Sequence, residues 1–115
     1  MPSGRLLLVA PDTDLRRSLV FALETEGFSV TVRDAPPARS WLVSNRFDCT
    51  VVDQKALIGP DYESIAFCIK AHPVVLVTAK PHPWLVEWVA EVVDMPIVAG
   101  AVGMAVRHAA GRSSA

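Results

Sequence analysis

Short apolar runs alternate along the chain with segments whose apolar residues recur at helical spacing. The first run is followed by Asp12, a favourable helix N-cap, and then by leucines on one helix face up to Gly27, which suits a helix C-terminus. The alternation continues to the C-terminus. It predicts strands at Arg5–Val9, Phe28–Val32, Asp48–Asp53, Pro73–Thr78 and Pro96–Val98, and helices at Asp12–Glu26, Ala35–Asn45, Ile58–Lys70, Pro83–Val93 and Ala101–Ala110.

This alternation is typical of an α/β protein. Successive strand–helix units imply a parallel sheet with helices on both faces, because each crossover packs its helix against the sheet. The chain has 115 residues, of which 51% are hydrophobic, which suits one compact domain and not two. We expect a short tail at residues 1–4, the domain at residues 5–110 and a flexible tail at residues 111–115.

Charge and composition disfavour several classes of function. The net charge is −1 and no run of Lys and Arg occurs, which argues against direct binding of nucleic acid. The run Leu6–Ala10 is too short for a signal sequence or a membrane span, so we expect a cytoplasmic protein that does not bind membranes. A glycine-rich phosphate-binding turn is missing after the first strand, which disfavours a dinucleotide or ATP site. Cys49 and Cys68 lack metal or redox spacing and are expected to be reduced core residues.

Asp53 is the main candidate for chemistry. It ends the run Phe47–Val52, which is typical of a buried strand, so its carboxylate is expected at the carboxyl end of the sheet. Ligands of α/β proteins bind at that edge. Three roles are open for Asp53 at this point: capping the following loop, accepting a phosphoryl group, or binding another ligand.

Four segments resemble the receiver domain of two-component response regulators, and the resemblance extends from Arg5 to about Ala110. The segments are Leu6–Val9 with the helix up to Phe28, then Phe47–Asp53, Pro73–Ala79 and Asp94–Val98. The resemblance implies a flavodoxin-like, doubly wound (βα)5 sandwich of three layers, whose parallel sheet has the order 2-1-3-4-5. It further implies that Asp53 stands at the phosphoacceptor position and Thr78 at the position of the switch hydroxyl, followed by the usual small residue, Ala79.

The chain departs from the receiver pattern around this aspartate. Two acidic residues after the first strand hold Mg²⁺ in the family, and Ala10 and Pro11 stand in their places. The family's Lys-Pro pair after the fifth strand aligns with Ala99-Gly100, and the aromatic residue of that strand aligns with Pro96. The chain therefore lacks the charged groups that make the phosphoacceptor reactive in the family.

These losses should weaken phosphotransfer, which depends on positioning and on neutralising the charge of the transferred group. Each lost contact of this type costs about 2.7–4 kcal/mol in the transition state, so phosphorylation of Asp53 should be slow at best. Lys55 or Lys80 could supply a cation, although both also fit solvated positions. Asp12 fits a helix N-cap better than a metal ligand, and Thr78 fits a backbone-bonded hydroxyl as well as a switch.

Apolar residues in the last third of the chain indicate an interface. Trp84 and Trp88 are four residues apart and would share one face of the predicted fourth helix, as interface anchors or as a cover over the sheet edge. The predicted fifth helix, which contains Met104 and Val106, is apolar on most sides and needs burial on most sides. In response regulators, the fourth helix, fifth strand and fifth helix form the usual dimer and output face.

The sequence thus predicts a degenerate receiver domain of two-component phosphorelay signalling, and not an enzyme. We expect it to act by protein–protein association through the face just described, as a homodimer or with a partner chain, without a cofactor. One alternative is a conventional receiver that a histidine kinase phosphorylates at Asp53, with weakened chemistry and Mg²⁺ held by Asp53 and Asp12. A further alternative is a flavodoxin-like binder of a small molecule.

Overall fold

The computed structural model describes residues 4–113 of the chain. Strands and helices alternate, with the bounds β1 Gly4–Val9, α1 Thr13–Thr25, β2 Phe28–Arg33, α2 Arg39–Ser44, β3 Cys49–Asp53, α3 Asp61–Lys70, β4 Val74–Thr78, α4 Pro83–Val86, β5 Glu91–Asp94 and α5 Ala101–Ser113. A 3₁₀ turn at Gln54–Ala56 lies between β3 and α3. The predicted succession of strand–helix units is confirmed, and β1 to β4 agree with their predicted bounds to within one residue at each end.

The strands form one parallel sheet in the order β2-β1-β3-β4-β5, as the resemblance implied. Neighbouring residues of a strand point to opposite faces of the sheet. Leu8 and Val51 therefore pack in the core beneath α1 and α5, whereas Val9 and Val52 pack in the core beneath α2, α3 and α4. Helices thus cover both faces in three layers, which explains why the central strands are almost continuously apolar.

The first helix forms as its sequence predicts. Oδ1 of Asp12 accepts a hydrogen bond from the backbone N–H of Leu15 at 2.8 Å and caps α1. Leu19 and Leu23, four residues apart, are both buried against the sheet. The chain turns into β2 at Gly27, whose φ of 98° is a left-handed conformation that glycine adopts without a Cβ clash.

The predictions for the fourth helix and the fifth strand were wrong. α4 is a single turn that ends at Val86, whereas the predicted helix continued to Val93. β5 is formed by Glu91–Asp94, whereas the predicted strand was Pro96–Val98. The two consecutive valines of β5 fit a helix face by spacing, but their β-branched side chains favour the strand that pairs with β4. Pro96 has no backbone donor to contribute to such a pairing.

Two other helices begin later than predicted. α2 begins at Arg39 and not at Ala35, because Pro36 and Pro37 lack the N–H groups of a helix interior and restrict the residue before them. α3 begins at Asp61, after the 3₁₀ turn, and not at residue 58.

The domain extends slightly beyond its predicted limits. Gly4 is part of β1, and α5 continues to Ser113, so residue 4 and residues 111–113 belong to regular elements and not to tails. The rest of the predicted tails, residues 1–3 and 114–115, lies outside the described residues. Between residues 4 and 113, the helices are too short or too polar for any of them to span a membrane.

Candidate functional site

Three polar side chains stand at the carboxyl ends of adjacent strands. Asp53 ends β3, Thr78 ends β4 and Asp94 ends β5. Asp53 is in register with Val77, the residue before Thr78, and Thr78 is in register with Asp94. Because neighbouring strands are about 4.8 Å apart, the structure brings Asp53 and Thr78 to one edge, as the resemblance implied. We call Asp53, Thr78 and Asp94 the strand-end site.

The carboxylate of Asp53 is buried and engaged in a backbone contact. Asp53 is 6% exposed, and its Oδ1 accepts a hydrogen bond from the backbone N–H of Lys55 at 3.0 Å. This bond caps the 3₁₀ turn that leads towards α3, which is the structural role left open by the sequence. Within residues 4–113, Asp53 forms no ion pair with a lysine or an arginine. Lys55 is exposed to solvent.

The hydroxyl of Thr78 is bonded within the loop that follows β4. Its Oγ1 accepts a hydrogen bond from the backbone N–H of Lys80 at 3.2 Å, which closes a local turn. Lys80 is itself exposed, as is its neighbour Ala79. The backbone-bonded role considered for Thr78 is therefore present in the structure.

Gln54 is a residue of this region that the sequence did not indicate. Its Nε2 donates a hydrogen bond to the backbone oxygen of Lys80 at 2.9 Å. Its Oε1 accepts one from the backbone N–H of His82 at 2.9 Å. One amide side chain thus holds the loop between β4 and α4 against the turn after Asp53. The partners lie in a distant part of the chain, so no local pattern could have revealed them.

The end of β1 carries no acidic pair in the structure, as its sequence requires. Ala10 is fully buried, and its N–H donates to the backbone oxygen of Arg33 at 3.0 Å. Nη1 of Arg16 donates to the backbone oxygen of Ala10 at 2.7 Å. The carboxylate of Asp12 is used in the cap of α1, so the weak expectation that it is a metal ligand finds no support in its contacts. A guanidinium group, and not a pair of carboxylates, approaches the carbonyl groups of this loop.

The position of the family's lysine needs a correction. Because β5 ends at Asp94, the pair that follows the strand is Met95-Pro96, joined by a cis peptide bond, and not Ala99-Gly100. By the receiver pattern, the position of the lysine now corresponds to Met95, whose side chain is half-buried and packs against the core.

The described residues do not fit a magnesium site of the receiver type. Mg²⁺ prefers several oxygen ligands in octahedral geometry and is usually held by one or two carboxylates with waters and substrate oxygens. In the part of the chain that the structure describes, no three His, Cys, Asp or Glu side chains are grouped so as to hold a metal ion. The carboxylate of Asp53 already accepts a backbone hydrogen bond, and the guanidinium of Arg16 donates to the backbone oxygen of Ala10.

The four predicted interface residues differ in exposure. Val106 is 0% exposed and belongs to the core beneath α1 and α5, so its prediction as an interface residue was wrong. Trp84 is half-buried and packs against the opposite core, and the ring of His82 stacks on it at a centroid distance of 5.1 Å. Trp88 and Met104 are exposed. Trp88 lies in the turn after α4, so the two tryptophans do not share a helix face.

The two cysteines are buried and unpaired, as predicted for core residues. Burial raises the pKa of the Cys49 thiol from 9.0 to about 12. Burial also raises the pKa of the Cys68 thiol, from 9.0 to about 11. Thiolates are the reactive form of cysteine, so neither side chain is suited to redox or nucleophilic chemistry in the folded state.

Comparison with known proteins identifies the fold. No protein-family model matches the chain, and no curated protein matches it by sequence. Full-length FixJ from B. japonicum is similar with a TM-score of 0.75 and 21% identity, over 99% of this chain and 60% of that chain. The receiver domain of a sensor histidine kinase from Pseudomonas aeruginosa PAO1, solved with a magnesium ion coordinated in its active site cleft, is similar with a TM-score of 0.77 and 15% identity, over 94% of this chain and 98% of that chain.

Chemotaxis protein CheY4 of Vibrio cholerae is similar with a TM-score of 0.71 and 15% identity, over 92% of this chain and 98% of that chain. The resemblance inferred from the sequence is therefore confirmed at the level of the fold: the chain has the fold of response-regulator receiver domains.

Proposed function

We propose that this chain is a receiver-like domain of two-component signalling that acts by protein–protein association and does not depend on phosphorylation of Asp53. The observation that carries the proposal is the set of groups around Asp53. The carboxylate is kept at the strand end, but Ala10, Pro11 and Met95 occupy the positions of the family's two acidic residues and lysine.

The contacts around Asp53 support a structural use of this carboxylate. A phosphoryl donor brings negative charge to the acceptor, and the rate of transfer depends on fixed positive charge that is already in place. Asp53 instead accepts the N–H of Lys55, and the hydroxyl of Thr78 accepts the N–H of Lys80. Both polar groups hold loops in place, and we infer that the domain rests in one conformation.

The proposed surface of association lies on the elements around β5. Val86, Trp88 and Met104 are large, exposed apolar residues on α4, on the turn after it and on α5, and we call them the α4–α5 face. β5 is an edge strand of the sheet, and tryptophan is the residue type most enriched among the residues that dominate binding energy. The proposed occupant of this face is a partner protein or a second copy of the chain.

The conventional receiver is the second candidate, because Asp53 and Thr78 lie on adjacent strand ends. NMR titration with beryllofluoride, first alone and then with millimolar Mg²⁺, distinguishes the two proposed functions. The signals to follow are the backbone amides of Asp53 and Thr78. The proposal predicts no Mg²⁺-dependent shift at either amide. Saturable shifts at both amides that disappear in Asp53→Asn would establish the conventional receiver and refute the proposal.

A further inference from the structure

The third helix carries large apolar side chains on its solvent side. Tyr62 is 71% exposed and Ile69 is 50% exposed, and Ala66 between them is also exposed. Residues spaced by four and then three lie on one face of a helix. Ile58, which is 91% exposed, lies just before α3. We call Tyr62, Ala66 and Ile69 the α3 stripe.

Two opposite charges flank this stripe on one side. Glu63 lies in the first turn of α3 and Lys70 in the last turn. Residues 63 and 70 are seven positions apart, about two helical turns, so they lie on the same side of α3. Both line, together with Ala66, Ile69 and Arg39 of α2, a cavity of about 630 Å³ between α2 and α3. Neither forms an ion pair within residues 4–113.

The pattern of these residues is complementary to itself when the helix direction is reversed. Consider a twofold axis that passes beside the side chain of Ala66, in the interface between two α3 helices and perpendicular to both. It places the second copy of the helix antiparallel to the first. Tyr62 and Ile69 are nearly equidistant from Ala66, so each meets the other residue of the second copy. Glu63 and Lys70 are also nearly equidistant from Ala66 and lie on the same side, so each carboxylate meets an ammonium group. The small side chain of Ala66 allows close approach at the axis.

We propose that a second copy of this chain binds the α3 stripe, with the two α3 helices antiparallel about this axis. The inference goes beyond the proposed function, since it concerns a surface on the other side of the sheet from α5. α3 has ten residues and is about 15 Å long, which is short for an interface of standard size, about 800 Å² per partner. The expected dimer is therefore weak, with a Kd in the micromolar range.

The test uses charge reversal, because Glu63 and Lys70 are exposed and their substitution leaves the core intact. Glu63→Lys makes both flanking charges positive, and Lys70→Glu makes both negative. Each change acts at two sites of a twofold dimer, so we expect each single variant to raise the Kd by about tenfold. Mixing the two variants should restore association as a heterodimer, and the double variant should dimerise like the native chain. Sedimentation equilibrium measures all of these states.

A matched control separates this surface from other apolar surfaces. Phe21→Ala removes an exposed apolar group from α1, which neither proposed surface includes. It should leave the Kd unchanged. The inference is overturned if the native chain is monomeric at millimolar concentration, if the single variants dimerise like the native chain, or if their mixture stays monomeric. Loss of the dimer in Trp88→Ala alone would assign self-association to the α4–α5 face and would also overturn it.

Discussion

The two hydrogen bonds of Gln54 make a specific prediction about the loop between β4 and α4. In Gln54→Ala, the backbone oxygen of Lys80 loses its donor and the N–H of His82 loses its acceptor. In Gln54→Glu, the acceptor for His82 is kept, but a carboxylate oxygen replaces the donor and faces the oxygen of Lys80. The two variants therefore separate the two contacts of one side chain.

The size of the effect follows from the number of bonds. A typical hydrogen bond contributes about 0.5–1.5 kcal/mol net, so loss of both bonds in Gln54→Ala should lower the free energy of unfolding by about 1–3 kcal/mol. With an unfolding entropy of about 2.1 cal/mol/K per residue, this loss lowers the Tm by about 4–12 °C for a chain of this length. The loss of one acceptor should speed hydrogen exchange at the His82 amide by about 2- to 10-fold.

Amide hydrogen exchange followed by NMR tests the reasoning residue by residue. The His82 amide should exchange faster in Gln54→Ala and keep its protection in Gln54→Glu. The Leu57 amide is the internal control, since it donates to the backbone oxygen of Gln54 at 3.0 Å, a bond that neither substitution removes. Unchanged exchange at His82 in the alanine variant, or the same acceleration in both variants, would refute a role of Gln54 in holding the loop.

Three further predictions concern the helix cap, the core and the thiols. Asp12→Ala should lower the free energy of unfolding by about 1 kcal/mol in urea titration, because the N–H of Leu15 loses its acceptor; no change would show that the cap contributes nothing. Val106→Asp should destabilise the fold by more than about 3 kcal/mol because it buries a charge, whereas Met104→Asp, at an exposed position, should change stability little; equal effects would contradict the assignment. Cys49 and Cys68 should resist iodoacetamide until the chain is unfolded, and labelling of the native protein would contradict their burial. Burial raises both thiol pKa values above 9.0, so the folded protein keeps its thiols protonated at a pH at which the unfolded chain ionises them. The contribution of the two thiols to the free energy of unfolding is therefore complete below pH 9.0 and is lost as the pH rises towards about 12.

Local signals in the sequence predict the structure correctly at positions where a single residue has a single physical role. Asp12 and Gly27 bound α1 because one is an N-cap and the other adopts a positive φ. β3 is recognisable as a buried strand because a central strand of a parallel sheet is apolar on both faces. Its end therefore places Asp53 at the correct edge without any knowledge of the rest of the chain.

Local signals do not predict the structure where strand pairing or a contact with a distant part of the chain decides which element forms. The valines of β5 satisfy helical spacing, and only their pairing with β4 assigns them to a strand. Because β5 was predicted too late in the chain, the lysine of the receiver pattern was aligned with Ala99 and not with Met95. The same error also placed Trp84 and Trp88 on one helix face. The role of Gln54 was not predicted because its partners, Lys80 and His82, are distant in the sequence and lie beside it only in the folded chain.

Labelling with acetyl phosphate in the presence of Mg²⁺, followed by mass spectrometry, tests the central claim most directly. The account predicts that the native chain gains no phosphoryl group in the time in which a variant with Pro11→Asp and Met95→Lys gains one at Asp53. Rapid, Mg²⁺-dependent labelling of the native chain that is abolished by Asp53→Asn would contradict it.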